Sequence, residues 1–538
     1  MPGSHRLLQR IEKLTEIGIA LSAESDTPRL LEMILLGAKA LTNADGGTLY
    51  SVQEDNTVKM EIVRTDSLQF AMGGTTGEPI PFEPIPLYDE QGRPNQHMVV
   101  THAVLNDVTV NIPDAYDTEG FDFSGTKKFD RSTGYRSTSF LTVPLKNHEG
   151  DIIGVLQLLN AQDEQSGEII AFDDEAQHLV ESLASLAAIA LTNRRLIDDL
   201  KHLLESLIQL VATAIDEKSP YTGGHCKRVP VLTMMLADAA SHTTEGPLRD
   251  FSMDEDDRYE LEIAAWLHDC GKITTPEYVV DKSTKLETIY DRIETVDTRF
   301  EILKRDAEIV MLKKRQAALE RGELIDEAAL QQEYRDTLHQ LDEELDFLHI
   351  SNTGGEFMSE QDRQRVHDIG RRHWNYHGSE LPLLTENERY NLTIEKGTLT
   401  PEEREVINNH IVATIKMLEA LPFPKHLKHV PEYAGGHHEK MDGSGYPRGL
   451  KGSQMSVQAR TMAIADIFDA LTAKDRPYKE GKKLSEALRI LGFMKQGDHI
   501  DPDLFDIFVR ERIFEKYAHQ YLDSSQIDEV DLESIPGL

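Results

Sequence analysis

The chain has 538 residues, too many for one hydrophobic core, and its 39% hydrophobic content is ample for two or three globular domains. With 94 acidic against 57 basic residues, the formal charge of -37 argues against a nucleic-acid-binding surface, because a polyanion would be repelled. No apolar run reaches the roughly 18 residues that a membrane span needs, the start MPGSHR lacks an apolar signal core, and Cys226 and Cys270 alone cannot build a disulfide framework, so a soluble cytoplasmic protein is expected.

Taken in chain order, apolar spacing predicts helices over residues 6–21 and 28–41, and alternation predicts strands over 47–52, 57–63, 139–144 and 151–159. That pattern is an α+β domain, an antiparallel sheet flanked by helices, assigned to residues 1–180. One long helical pattern follows. Leu179, Leu186, Ile189, Leu196, Leu200, Leu203, Leu207, Leu210 and Ala214 recur at steps of three and four, with Asn193 at an a position. This reads as a coiled-coil connecting helix, residues 181–215, and a buried Asn pair there fixes a two-stranded parallel register, hence a parallel homodimer. A helix packed within its own chain is the alternative. Residues 216–538 read as an all-α domain, interrupted by a charged helical insertion over about 281–396 that is expected to be a hairpin or arm.

Two His-Asp dipeptides occur, His268-Asp269 and His367-Asp368. The first ends the apolar run LEIAAWL and precedes Gly271, which helps both side chains turn inward, with Lys272 one turn on. The second follows the polar stretch SEQDRQR and is read as part of a solvated helix face; His373, Trp374 and His377 are likewise given surface or packing roles. Cys226 and Cys270 each neighbour a candidate ligand and are read as small buried packing residues. Further along, HHEKMDGSGYP at 437–447 couples adjacent histidines to a Gly-rich turn that brings backbone close to a ligand.

These segments closely resemble the HD-GYP family of cyclic dinucleotide phosphodiesterases. The motifs occur in the family's order: YTGGHCKRV at 221–229, HDCGKI at 268–273, GTLTPEE at 397–403 leading to His410, the 437–447 segment, ADIFDALT at 465–472 and DRPYK at 475–479. The resemblance implies His225, His268, Asp269, His410, His437, His438 and Asp466 as metal ligands, with Asp269 bridging two ions. It further implies Lys272 as a catalytic residue stabilising charge on phosphoryl oxygens, and Tyr446, Arg476 and Lys479 as substrate-binding residues. Imidazole and carboxylate donors suit iron, manganese or zinc, and family habit favours two ions of iron or manganese. Some members support a third metal with a Glu where this chain has Tyr221, so a two-metal centre is expected. Two cations about 3.5–4 Å apart neutralise an anionic phosphodiester and bring the pKa of water from 15.7 towards about 7. The family places its third-motif histidine closer behind the His-Asp pair than His410 lies, so the insertion must loop out and return without moving that ligand.

Over about residues 10–195 the chain resembles GAF domains, on FDRSTGY at 129–135, LTVP at 141–144, GVLQLLN at 154–160 and FDDE at 172–175. The resemblance implies a small-molecule ligand, cyclic nucleotides included, or a ligand-free dimerisation module. Nucleotide-binding members carry Asn-Lys where this chain has Asn160-Ala161. The combined expectation is a GAF-regulated phosphodiesterase opening cyclic di-GMP to pGpG and on to GMP. A 3',3'-cyclic GMP-AMP phosphodiesterase and a non-hydrolytic di-iron sensor or binding protein are the alternatives.

Overall fold

The computed structural model describes residues 2–218, 224–354, 357–474 and 481–538. The chain divides into two compact units, residues 1–203 and 204–538. No helix among the described residues is long and apolar enough to cross a membrane.

The first unit begins with α1 (Pro2–Ala23) and α2 (Thr27–Thr42), followed by β1 (Ala44–Val52), β2 (Thr57–Thr65), β3 (Phe70–Gly73), β4 (Ile85–Pro86), α3 (Val99–Asn106), β5 (Val110–Ile112), α4 (Ser124–Thr133), β6 (Phe140–Lys146), β7 (Ile152–Gln162), β8 (Ile169–Ile170) and the start of α5 (Asp174–Lys218). Asp26 caps α2 by accepting from the Arg29 N–H, and Pro28 occupies its first turn, as the sequence around residue 28 requires. The strands form one antiparallel sheet of order β3-β2-β1-β7-β6-β5, with β4 on β2 and β8 on β7. One face buries Leu49, Ile62, Leu141, Leu156 and Leu158 against Ile34 and Leu35 of α2 and Val180, Leu183 and Ala187 of α5. The other is covered by α3, where Val100 meets Tyr50 and Val155. The predicted helices and the four long strands are present; the edge strands β3 and β5, three or four residues each, are additions.

The second unit is helical: α6 (His225–Ser241), α7 (Glu255–Leu267), α8 (Glu277–Val280), α9 (Ile293–Glu320), α10 (Glu327–Asn352) and α11 (Glu360–Gly370). The strands β9 (His373–Tyr376) and β10 (Ser379–Pro382) follow, then α12 (Glu386–Leu392), α13 (Pro401–Glu419), α14 (Val430–Gly436), α15 (Val457–Thr472), α16 (Leu484–Gln496), α17 (Pro502–Arg510) and α18 (Ile513–Tyr521). The β9–β10 hairpin departs from an all-helical reading. Its two-residue turn, His377-Gly378, holds both residues at positive φ (52° and 80°), the conformation that matches hairpin twist.

The insertion has its own core, in which Leu286, Val296 and Phe300 pack with Leu341, Leu348, Val366 and Leu384. At its root Lys282, whose side chain is fully buried, donates to both oxygens of Glu403 (2.9 and 2.7 Å) and to Asn391 Oδ1 (2.9 Å). Thr398 donates to the Lys282 carbonyl, and Lys285 Nζ donates to the carbonyls of Leu392 (3.0 Å) and Ile394 (2.8 Å). Entry and exit of the insertion are therefore tied together at the amino end of α13, the helix that carries His410.

Candidate metal centre

Five segments deliver the histidines and carboxylates. His225 opens α6, His268 closes α7, Asp269 leads into the 3₁₀ turn Cys270–Thr274, His410 lies mid-way along α13, His437 and His438 follow α14, and Asp466 sits on α15. Local chemistry sets these ends. A capping box between Asp254 and Asp257 starts α7, Thr400 with Glu403 and Pro401 start α13, and Ser456 caps α15. Gly271 lets the turn after Asp269 lie against α13. A Cβ there would stand 2.0 Å from the His410 carbonyl oxygen, and its N–H donates to Thr414 Oγ1 at 2.9 Å.

The result is two ligand sets that share one residue: His225, His268, Asp269 and Asp466, and Asp269, His410, His437 and His438, each with its donor atoms within 4.8 Å of one another. His225 and His268 Nε2 approach Asp269 Oδ2 at 3.3 Å each, and His410 Nε2 approaches Oδ1 at 3.2 Å. The two oxygens of Asp269 thus serve different sets. Nδ1 of His268, His410 and His437 each lies 2.5–2.6 Å from the carbonyl oxygen three residues earlier. A carbonyl only accepts, so each of these Nδ1 atoms carries a proton and Nε2 is the nitrogen turned inward. His225 Nδ1 is fixed instead by Asp469, at 2.7 Å, and Asp469 also accepts from Arg228 Nε (2.7 Å) and Tyr517 Oη.

Charge follows from this enclosure. Burial opposes protonation of His225, yet Asp269, Asp466 and Asp469 hold its pKa well above the ordinary imidazole value. Burial drives His437 well below that value, aided by His438, and takes His438 down to about 4. Burial would raise Asp269, but Lys272 and His268 hold it well below the carboxylate range; the His225 ring, 3.2 Å from Asp466, does the same for that carboxylate against its burial. The carboxylates are therefore ionised and His437 and His438 neutral near pH 7, the forms that bind cations. Nε2 of His225, His268 and His437 and Oδ1 of Asp269 are buried without a hydrogen-bond partner. Inward-facing orphaned donors of this kind fit divalent cations.

Lys272 Nζ pairs with Asp269 and is a quarter exposed where Asp269 is 2% exposed, so it stands at the mouth of the centre. Tyr446 stacks on His438, ring centroids 4.8 Å apart. Glu439, buried, accepts from the N–H groups of Arg448 (2.7 Å) and Leu450 (2.9 Å) and holds the loop that carries Tyr446. Tyr221, Arg476 and Lys479 lie outside the described residues. Among the described residues His367-Asp368 joins no metal-capable group; His367 is on α11 in the insertion and Asp368 pairs with Arg371. Cys226 and Cys270 are free, buried in the cluster beside the centre. Sequence reasoning quoted Asp469 and Glu439 without assigning them work and did not reach Thr414; for Asp469 the usable signal was its place one helical turn after Asp466 on the same face.

The HD domain family matches residues 383–504, a span holding His410, His437, His438 and Asp466, and the GAF domain family matches residues 26–191. The chain carries a GAF domain and an HD domain. His225, His268, Asp269 and Lys272 precede the stretch matched as HD domain, and the geometry above joins them to it. The chain is 38% identical over 139 residues to the probable cyclic di-GMP phosphodiesterase of Vibrio cholerae serotype O1, covering 25% of this chain and 31% of that protein. It is 46% identical over 81 residues to the 3'3'-cGAMP-specific phosphodiesterase 1 of the same organism, covering 15% and 19%. With the cyclic di-GMP phosphodiesterase of Thermotoga maritima the figures are 37% over 119 residues, 22% and 32%. The matches thus span under a third of the length of each of these relatives.

Proposed function

We propose that this protein is a metal-dependent phosphodiesterase that hydrolyses a cyclic dinucleotide, opening cyclic di-GMP to linear pGpG and on to GMP, under regulation by its GAF domain. The observation that carries the reading is the shared Asp269: one carboxylate with an oxygen committed to each of two histidine-rich sets is what a two-cation centre requires. Two divalent ions, iron or manganese, are assigned to the sets His225, His268, Asp269, Asp466 and Asp269, His410, His437, His438. Bound there, they supply charge neutralisation for the phosphodiester and make hydroxide accessible near neutral pH.

The remaining chemistry belongs to the chain. The Nδ1–carbonyl bonds and Asp469 hold the imidazoles with Nε2 inward, so binding costs no reorientation, and His225, kept protonated by its carboxylates, releases a proton as a cation binds. Lys272, at the mouth, faces an incoming phosphate and stabilises charge as it develops on the phosphoryl oxygens. Tyr446, half-buried beside His438, offers its outer face to a base, and Arg476 and Lys479 are assigned to phosphate. In the GAF domain the Asn160 amide is fully used inside the protein, accepting from the Thr138 and Ser139 N–H groups and donating to Tyr135 Oη and the Arg136 carbonyl. That supports a structural role at the position where nucleotide-binding members carry Asn-Lys. Leu186, Ile189, Leu196, Leu200, Leu203, Leu207 and Leu210 of α5 are all exposed, which supports pairing of this helix with a second copy as a parallel coiled coil.

A 3',3'-cyclic GMP-AMP phosphodiesterase is the second reading, favoured by the 46% identity to a relative of that name. Anaerobic purification, metal analysis and chromatography of both cyclic dinucleotides test the proposal. Turnover of neither at full metal occupancy refutes it. Lys272→Ala is expected to keep its metal and lose rate, whereas Asp269→Ala loses both; full turnover in Lys272→Ala removes the role given to the lysine.

A further inference from the structure

The carboxyl-terminal turns of α5 are built into the surroundings of the metal centre. Ile208, Ala212 and Ile215 are buried in one cluster with Cys226, Leu267 and Cys270, the chain neighbours of His225, His268 and Asp269. The polar residues of the same turns reach the two ligand-bearing segments directly. Asp216, 7% exposed, accepts from the N–H of Gly224 through Oδ2 (3.0 Å) and of Cys226 through Oδ1 (3.4 Å), on either side of His225. Two residues on, Lys218 Nζ donates to the carbonyls of Lys272 (3.3 Å), Ile273 (2.5 Å) and Thr275 (2.6 Å), the exit of the turn that Asp269 begins.

The contacts serve backbone groups at the ends of these elements, N–H groups at the start of α6 and carbonyls leaving the 3₁₀ turn, of which that of Lys272 also accepts from the Thr275 N–H. What matters is that a single helix end makes both. His225 Nε2 and Asp269 Oδ2 stand 3.3 Å apart, and metal–ligand distances tolerate only about 0.2 Å of error. A clamp that joins the backbone beside His225 to the backbone after Asp269 sets that separation. We propose that Asp216 and Lys218 are positioning residues for the metal centre, fixing the spacing of the His225 and Asp269 segments and through it cation affinity and turnover. Only the turnover readout rests on the phosphodiesterase reading.

The test uses the full chain with Lys218→Met, which keeps the aliphatic stem and removes the donors, Lys218→Arg, which restores donors, and Asp216→Asn, which keeps size and removes one acceptor. Three quantities are measured: Mn²⁺ affinity by competition with a fluorescent chelator, kcat and KM for cyclic di-GMP, and the thermal midpoint of the metal-free protein. Lys218→Met and Asp216→Asn should each weaken Mn²⁺ binding and lower kcat about tenfold, the order expected for partners behind the ligands, with KM within about twofold. Lys218→Arg should recover most of both, and the metal-free midpoints should stay within a few degrees of wild type. Wild-type Mn²⁺ affinity in Lys218→Met and Asp216→Asn, or a loss that Lys218→Arg does not recover, overturns the inference. If Lys218→Met does not fold, Asp216→Asn alone decides on Mn²⁺ affinity. A wild-type protein that binds Mn²⁺ and turns over no cyclic dinucleotide removes the proposed function and leaves the chelator competition to decide this point.

Discussion

Replacing Gly271 by alanine tests whether the turn after Asp269 must touch α13. The added Cβ would lie 2.0 Å from the His410 carbonyl oxygen, 2.6 Å from the Thr414 nitrogen and 2.7 Å from Thr414 Oγ1. Two of these atoms are backbone, so no rotamer relieves the clash. Relieving the contact from 2.0 Å to an ordinary van der Waals distance of 3.4 Å moves the α13 backbone or the turn by more than about 1 Å, and overpacking of this kind costs about 1–3 kcal/mol. The same movement carries His410 Nε2 away from Asp269 Oδ1, 3.2 Å distant in the native chain, and breaks the hydrogen bond from the Gly271 N–H to Thr414. A displacement of about 1 Å at a reacting site costs on the order of a hundredfold in rate. Of the two ions proposed per chain, the one assigned to Asp269, His410, His437 and His438 should be lost first, because the set containing His225 and Asp466 has no residue on α13. Elemental analysis after desalting reads this, alongside the thermal midpoint and steady-state kinetics. An alanine variant with wild-type metal content and rate refutes the reasoning.

Asp469→Asn removes the anion that fixes His225, and cation affinity should drop about 10- to 100-fold in a chelator titration. The same carboxylate sits at about 2 in the folded chain against 3.8 ordinarily, through hydrogen bonds from His225 and Arg228 that overcome burial. A depressed carboxylate contributes stability above pH 3.8 that is lost as pH falls towards 2, here on the order of 2 kcal/mol, so the asparagine variant should show a shallower acid-unfolding curve there. Lys282→Met leaves Glu403 and Asn391 without their shared cation; a loss of about 3 kcal/mol or more is expected, with faster proteolytic cleavage of the insertion, and an unchanged midpoint would show that the root is held otherwise. Leu200→Glu together with Leu207→Glu should give monomers in sedimentation, both side chains being half or more exposed on the α5 seam.

Much of this was legible from residue order. The seven candidate ligands were named because imidazoles and carboxylates fall within short motifs, and the structure gathers these seven into two groups able to hold a cation. The long strands and α5 were legible because periods of 2 and 3.5–3.6 persist over many residues. What a local window cannot carry is long-range pairing: Lys282 meets Glu403 across 121 positions, and neither residue stands out among its charged neighbours. Gly271 was read as freedom to turn, whereas its stronger requirement is the backbone of another helix against its α-carbon. The edge strands β3 and β5 are too short for alternation to register, and the β9–β10 hairpin hides in a polar stretch because a His-Gly turn is less familiar than Asn-Gly.

The insertion root also bears on the order in which the centre can form. His225 meets Asp469 across 244 positions and Gly271 meets Thr414 across 143, contacts that a chain finds slowly. The α9–α10 pair, by contrast, closes locally, and closure entropy grows only slowly with loop length. Once Lys282 has found Glu403, the turn carrying Asp269 and the helix carrying His410 are neighbours rather than distant parts of a chain. A partly folded chain therefore lacks the Asp269–His410 pairing, and the set of Asp269, His410, His437 and His438 is assembled only after the insertion has closed on itself.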